Sequence, residues 1–407
     1  MSEDSNPFIS LLRENRDFAT LWFGQIVSRI GDGILIVALP WLIYKIGTET
    51  DLGLIMALYS LAAVLFGYIA GMTADRFSRK RLMIMSSIGA GVFVTLMPVL
   101  YDSGLLVIPL LGILAFLASL CSQFFEPALD ASIPNLVEDD MLETANSMSM
   151  TTRRVGMIAG PAVAGVLITV TSSSTTLLID SISFFFLAGI IAFISVPQKI
   201  PDRRNSIWSD FVDDTGDLFS YVKSQPLIRL ILLLTLVVNA VLGPFFIITV
   251  VFTKNVLASG SGSFGLLVSI LSLGTVAGML TVGQFKEIHA KKFILLGFSL
   301  SGLSLIILSQ TRWLGLAVGL YLLVGIGFGV INVPAKTALQ RFSPDKLRGK
   351  IMGITFTMAS AAQPISQASS GFVLSFIDTP IMFLFMGMGV LLLLLPLILS
   401  EELERLE

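Results

Sequence analysis

The chain has 407 residues, of which 54% are hydrophobic and 13% charged, and its formal net charge is −2. This charged fraction is about half that of a typical soluble domain, and the mean hydropathy of +0.87 indicates a polytopic membrane protein. One cysteine, Cys121, and one histidine, His289, are too few for a disulfide framework or a His/Cys metal cluster. We therefore expect neither a bound metal nor a cofactor.

Twelve segments of about 20 residues are apolar enough to cross a bilayer. Spans 1 to 12 are predicted near residues 18–45, 52–74, 82–101, 105–126, 145–170, 176–196, 227–253, 263–285, 292–310, 313–335, 350–376 and 380–400. They predict an all-α protein with twelve transmembrane helices in two six-helix bundles related by a pseudo-two-fold axis. The predicted domains are an N-terminal bundle (1–196), a cytoplasmic linker (197–226) with a surface-lying amphipathic piece around 207–221, and a C-terminal bundle (227–407).

An internal repeat supports two related halves. The stretch Gly71–Lys80 returns in weakened form as Gly283–Lys292, 212 positions later, each time at the end of an apolar span. A glycine, an acid four residues on, and two bases four and five residues beyond the acid are kept in both copies. Repeats of this kind are typical of transporters built from two bundles.

Basic residues predict the orientation in the membrane. The odd-numbered connections hold only Lys45, Lys254 and Arg312, whereas the even-numbered ones hold the clusters around 76–81, 199–229, 286–292 and 341–350. Because Lys and Arg accumulate on the cytoplasmic side, both termini are predicted to be cytoplasmic.

Three motifs carry a family resemblance: the loop at 71–80, the glycine-rich run at 156–165 in span 5, and Ser28–Asp32 in span 1. The chain resembles the major facilitator superfamily, and is similar to its drug-proton antiporter branch, which includes macrolide and siderophore exporters. The resemblance implies a multi-pass protein of the bacterial cytoplasmic membrane. It also implies a cytoplasmic latch, formed by Gly71, Asp75, Arg76, Arg79 and Lys80, and a span 5 exporter motif, formed by Gly156, Gly160, Pro161 and Gly165. The alternatives are a loop that only signals membrane orientation and a span 5 glycine run that serves ordinary helix packing. Related antiporters often carry an Arg in span 4, but 105–125 has none.

Charged residues inside the spans are the candidates for proton coupling. Asp32 lies about fourteen residues into span 1, or about 21 Å at 1.5 Å per residue, near the bilayer centre. Its spacing places it on one helix face with Arg29 and Gln25. A carboxylate at that depth must face a cavity or a partner, as a proton carrier requires. The alternative is a static Arg29–Asp32 pair that holds the helix in place.

Span 4 carries a second row of charges nearer the cytoplasm. Glu126 and Asp130 share a face, and Arg153 and Arg154 enter span 5 at a comparable depth. A structural or gating pair of Glu126 with Arg153 is favoured here over proton coupling by Glu126 or Asp130. Asp180, near the outer end of span 6, is expected to reach water.

Bulky and polar side chains in both halves are candidates for a cavity that binds an amphiphile. They are Gln25, Trp41, Tyr44, Asn239, Phe245, Phe246 and Asn332. Lipid-facing aromatic residues are common, so ordinary packing is the competing interpretation.

Other classes of function lack their motifs. The chain has no phosphate-binding loop for ATP, no hydrolase nucleophile motif and no basic domain for nucleic acid, so we expect a protein that is not an enzyme. The prediction is a secondary transporter that exports hydrophobic or amphiphilic small molecules against proton entry, with substrate, protons and membrane lipid as its partners. The alternatives are a lipid or lysolipid flippase of the same fold and a non-transporting membrane sensor.

Overall fold

The computed structural model describes residues 7–198, 221–285 and 290–399, and the regular structure in these ranges is helical. The first helices are α1 Pro7–Glu14, α2 Arg16–Ile46, α3 Glu49–Arg76, α4 Arg79–Asp102, α5 Ile108–Leu136, α6 Leu142–Val170 and α7 Ser173–Phe193. The later ones are α8 Pro226–Leu242, α9 Phe245–Val251, α10 Ser261–Gly283, α11 Ala290–Leu308, α12 Leu314–Phe342, α13 Asp345–Leu374, α14 Thr379–Leu392 and α15 Leu394–Leu399.

Span 7 is interrupted, which the sequence analysis did not predict. The regular helix is interrupted by a turn at Gly243 and Pro244, between α8 and α9, and a π-helical turn, Phe252–Val256, follows α9. Proline has no N–H to donate to the preceding turn, so a continuous hydrogen-bond ladder is not possible at this point.

Eleven helical segments of the described residues are long and apolar enough to cross a membrane. This confirms an all-α, polytopic membrane protein. The predicted span at 350–376 is helical as α13 but is not among the eleven, and its helix is rich in serine and glutamine. The exact number of twelve spans, and the symmetry between the halves, stay predictions.

The chain divides into two compact units. One contains residues 1–46 and 58–204, and the other contains 47–57 and 205–407, so α3 begins in the second unit and ends in the first. The predicted domain division at 196 and 227 stays a prediction. Most of the predicted linker, and of its amphipathic piece at 207–221, lies outside the described residues, as does 286–289 of the second repeat copy.

Within the first unit, α2 packs against α6 and α7, and α4 packs against α5 and α7. A cluster of fully buried side chains joins one end of these helices, and its members include Phe18, Leu21, Met83, Leu129 and Met148. This apolar cluster fixes α2, α5 and α6 relative to one another. Those are the three helices that carry the predicted intramembrane charges.

Candidate functional site

Five charged side chains of the first unit form one continuous chain of ion pairs. Asp32 Oδ2 lies 3.2 Å from Arg29 Nη1, and Arg29 Nη2 pairs with Glu126 Oε1. Arg153 Nη1 pairs with Glu126 Oε2, and Arg153 Nη2 lies 2.8 Å from Asp130 Oδ1. The order is therefore Asp32, Arg29, Glu126, Arg153, Asp130. Three carboxylates alternate with two guanidinium groups, which leaves one negative charge in excess when all five are ionised.

The helix spacing explains how five residues meet. Arg29 and Asp32 are three residues apart on α2, while Glu126 and Asp130 are four apart on α5, so each pair shares a helix face. Arg153 reaches them from α6. The guanidinium groups supply two donor edges each, which lets each arginine bind two carboxylates.

This arrangement tests the expected contacts directly. The Arg29–Asp32 and Glu126–Arg153 ion pairs were both predicted from the sequence. The Arg29–Glu126 ion pair that connects them was not predicted. Arg154 is exposed and does not belong to the chain of ion pairs. The basic partners of the α5 carboxylates come from α2 and α6.

The two ends of the chain of ion pairs are more accessible than its inner arginine. The side chains of Asp32 and Asp130 are 40% and 54% exposed, whereas that of Arg29 is 14% exposed. The protein therefore encloses the terminal carboxylates less than it encloses the Arg29 guanidinium.

A small polar cavity of about 40 Å³ adjoins Arg29, Asp32 and Glu126. Its wall includes Gln25 on α2, Ser86 and Ser87 on α4, and Ser122 on α5. The buried Gln25 Nε2 and Ser87 Oγ atoms have no hydrogen-bond partner among the described residues. The space suits a few water molecules and is far below the several hundred Å³ of a drug-sized site. The sequence analysis did not predict Ser86 and Ser87 as site residues. Two adjacent serines within an apolar span are the sequence signal that could have identified them.

The glycines of the predicted exporter motif lie at the contact between α6 and α2. A Cβ atom at Gly160 would lie 2.6 Å from the Gly33 Cα and from the Ile30 carbonyl oxygen. A Cβ atom at Gly33 would in turn lie 2.9 Å from the Pro161 Cδ. Gly165 is also buried. Small residues are needed here because the two backbones touch, and the contact lies directly beside the chain of ion pairs.

The predicted latch residues bind neighbouring helix ends. Arg79 Nη1 donates to the Ala131 carbonyl of α5 at 2.6 Å, and Lys80 Nζ donates to the carbonyls of Ala192 and Ile194 at 2.8 Å each. A cation over the last carbonyls of a helix complements its dipole. Lys80 therefore stabilises the C-terminal end of α7.

The spacing of Gly67 and Gly71 predicts a close helix contact, and that of Asp75 and Arg79 predicts an ion pair, but neither forms among the described residues. Asp75 is exposed and makes no ion pair with Arg79, which donates to carbonyl oxygens instead. Added Cβ atoms at Gly67 and Gly71 would meet nothing within 4 Å among the described residues, so neither glycine serves a close helix contact in this structure. Arg76 is half-buried at the end of α3.

The predicted cavity residues of the second unit lie in different environments. Phe245 is 3% exposed and packs against the rings of Tyr321, Phe328 and Phe383, so it belongs to the interior of this unit and not to an open wall. Phe246 is 36% exposed. Asn239 and Asn332 each donate to a carbonyl of their own helix at 2.8 Å.

The remaining aromatic candidates lie on α2. Tyr44 is buried there, and Trp41 is half-buried. Neither lines the cavity beside the chain of ion pairs.

Asp180 departs from its expected environment. It was expected to reach water, but its exposure is 0%. It lies on α7 against α2, where Gly31 leaves room for its carboxyl group.

Comparison with known proteins identifies the family. Residues 8–404 match the family described as transmembrane secretion effector, one of the major facilitator families. The chain belongs to the major facilitator superfamily. It is 24% identical over 399 residues to macrolide efflux protein A of Streptococcus pyogenes, covering 96% of this chain and 97% of that protein. It is 22% identical over 361 residues to the multidrug efflux pump Tap of Mycolicibacterium fortuitum, covering 86% and 87%.

The fold agrees with solved transporters of this superfamily. The nucleoside transporter NupG superimposes with a TM-score of 0.77 at 14% sequence identity, covering 94% of this chain and 99% of that one. At this identity the likeness concerns the fold alone. Membership of the major facilitator superfamily makes the protein a multi-pass membrane transporter of small molecules.

Proposed function

We propose that this transporter exports hydrophobic or amphiphilic small molecules, drug-like or siderophore-like, by alternating access coupled to proton entry. The observation that carries the proposal is the chain of ion pairs from Asp32 to Asp130, with its unequal number of acids and bases. The relatives named as macrolide and multidrug efflux proteins support the substrate class and the outward direction.

Asp32 is the proton-accepting group in this proposal. A proton on Asp32 removes its attraction for Arg29, which then keeps Glu126 as its only carboxylate partner. Two carboxylates then face two guanidinium groups instead of three carboxylates facing two. The electrostatic attraction between α2 and its neighbouring helices changes as a result. Because a ligand shifts a conformational equilibrium only through its different affinity for the two states, the proposal requires Asp32 to bind its proton with different affinity before and after these pairs rearrange.

The proposal also includes the predicted membrane, the orientation of the termini and the cytoplasmic latch. The membrane is the bacterial cytoplasmic membrane, both termini are cytoplasmic, and the loop at 71–80 acts as a latch on that side. The contacts of Arg79 and Lys80 with the ends of α5 and α7 support a role of this loop in holding helix ends together.

Reconstituted transporter in liposomes tests the proposal with ethidium and erythromycin as probes. An imposed proton gradient is expected to drive uphill movement of a probe by the wild type, and an uncoupler is expected to abolish it. Asp32→Asn should lose uphill movement while probe binding stays measurable. Asp140→Asn, which changes an exposed acid outside the chain of ion pairs, is the matched control.

Two results would count against the proposal. Gradient-driven export at the wild-type level by Asp32→Asn would move the proton site elsewhere, with Glu126 and Asp130 next to be tested. Wild-type transport of both probes that ignores the proton gradient would reject antiport.

A further inference from the structure

A carboxyl group without a counter-ion lies inside the first unit, apart from the chain of ion pairs. Asp180 is 0% exposed, and its Oδ2 has no hydrogen-bond partner among the described residues. Its Oδ1 is 3.4 Å from the Ser183 Oγ, one turn further along α7, which is a long hydrogen bond. None of the four ion pairs of the described residues includes Asp180.

The position of this carboxyl group is built into the contact between α7 and α2. A Cβ atom at Gly31 would overlap Asp180 Oδ1 and Ser183 Oγ, and would lie 3.2 Å from the Ser183 Cβ. Only glycine at position 31 therefore allows the acid to lie against the backbone of α2. Gly31 directly precedes Asp32 in α2, so Asp180 packs against the residue next to the proposed proton acceptor.

The charged and titratable groups of every surrounding helix leave Asp180 unpaired. On α2, Asp32 has the same sign and Arg29 is already bound by two carboxylates. On α6, Arg153 is bound to Glu126 and Asp130. On α4, Asp102 accepts a hydrogen bond from Ser174 of α7, and on α3 the phenol of Tyr59 lies within electrostatic range of both Asp32 and Asp180.

An unpaired ionised carboxylate in such surroundings is strongly unfavourable. Groups of this kind in the interior take up a proton instead, because the neutral acid avoids the desolvation cost of the charge. An ionised Asp180 would also add a second uncompensated negative charge to a bundle whose chain of ion pairs already carries one in excess.

We propose that Asp180 is a second proton-binding site of this transporter, which holds its proton while α7 is packed against Gly31 and exchanges it when that contact opens. On protonation one carboxylate oxygen of Asp180 takes a proton from a hydronium ion and leaves water, and on release that O–H bond breaks and the proton returns to a water molecule as hydronium. The exchange during transport rests on the proposed proton antiport, whereas the bound proton itself does not.

Infrared spectroscopy of the purified transporter tests the bound proton without any substrate. The wild type is expected to show the carbonyl stretch of a protonated carboxyl group at neutral pH, and Asp180→Asn is expected to lack that component. Asp32→Asn and Asp102→Asn should retain it, the latter as a control for an exposed aspartate that contacts the same helix. Asparagine matches the shape and neutrality of the protonated acid, so we expect Asp180→Asn to fold.

A second variant covers the case in which Asp180→Asn does not fold. Asp180→Glu keeps an acid, so the component should persist at a shifted frequency. The same carbonyl band in the wild type and in Asp180→Asn, or an unshifted band in Asp180→Glu, would overturn the proposal and leave the coupling role of Asp32 untouched.

The exchange is measured as protons moved per molecule of erythromycin in liposomes. Asp180→Asn is expected to move one proton fewer than the wild type, with uphill export retained. If Asp180→Asn loses the infrared band but moves as many protons per erythromycin as the wild type, Asp180 stays protonated throughout transport. That result would overturn the proposed proton exchange.

Discussion

Gly156 of α6 lies directly against Arg29 of α2, the residue that links Asp32 to Glu126 in the chain of ion pairs. A Cβ atom at position 156 would lie 2.7 Å from the Arg29 Cβ and 2.5 Å from its carbonyl oxygen. The glycine-rich motif of α6 and the charges of α2 are therefore one structural unit, since the missing side chain at 156 sets the position of the Arg29 backbone.

Gly156→Ala is expected to destabilise the first unit and to reduce transport. The added methyl group must push α2 and α6 apart, and overpacking of this kind costs about 1–3 kcal/mol. Thermal stability in detergent and probe export both measure the effect. Gly189→Ala is the matched control, because a Cβ atom there meets nothing within 4 Å among the described residues. Equal stability of the two variants would show that the α2–α6 contact tolerates a side chain.

Glu126→Gln is expected to separate folding from coupling. Without this carboxylate, Arg29 keeps Asp32 and Arg153 keeps Asp130, so two balanced pairs remain and expression should stay close to that of the wild type. The connection between the pairs is lost, and gradient-driven export should fall at least tenfold. Glu138→Gln, an exposed acid outside these pairs, serves as the control. Export at the wild-type rate would contradict a coupled role for the whole chain of ion pairs.

Arg29→Gln is expected to lower expression and stability, because Asp32 and Glu126 lose their shared partner. Breaking a buried ion pair costs about 3 kcal/mol or more, and the partial exposure of both acids reduces that cost here. Arg29→Lys should restore little, since an ammonium group lacks the two donor edges that bind both carboxylates.

The double variant Arg29→Gln/Asp32→Asn separates a structural pair from a coupling pair. It should recover expression because the charge count returns to its original value, but it should not recover uphill export. Recovery of both would make the Arg29–Asp32 pair purely structural.

Arg79→Gln is expected to reduce thermal stability more than Asp75→Asn does. Arg79 bridges the end of α3 to α5, whereas Asp75 is exposed and makes no ion pair with it. Loss of charge-assisted hydrogen bonds of this kind typically costs about 1.5–3 kcal/mol. Arg81→Gln, an exposed neighbouring arginine, is the control. A larger effect of Asp75→Asn would show that the acid dominates the loop through a contact absent from this conformation.

The sequence by itself determined the class of protein, most of its long apolar helices and the elements that carry charge. Long apolar segments have few alternatives in lipid, because a spanning backbone must satisfy its hydrogen bonds within a helix. The spacing of Arg29 and Asp32 likewise predicts their contact, since residues three apart share a helix face. The shared depth of Glu126 and Arg153 was enough to predict their pairing across two helices.

The tertiary structure alone decided how these pairs combine. That Arg29 also binds Glu126 depends on the rotation and approach of α2 and α5, which local periodicity does not contain. The same holds for Asp180 and Phe245, which were expected to face water and a cavity and are buried against α2 and among aromatic rings instead. The periodicity of apolar residues shows that a side chain lies on a helix. Its neighbours depend on which faces of several helices meet, and the packing of the whole unit determines those faces.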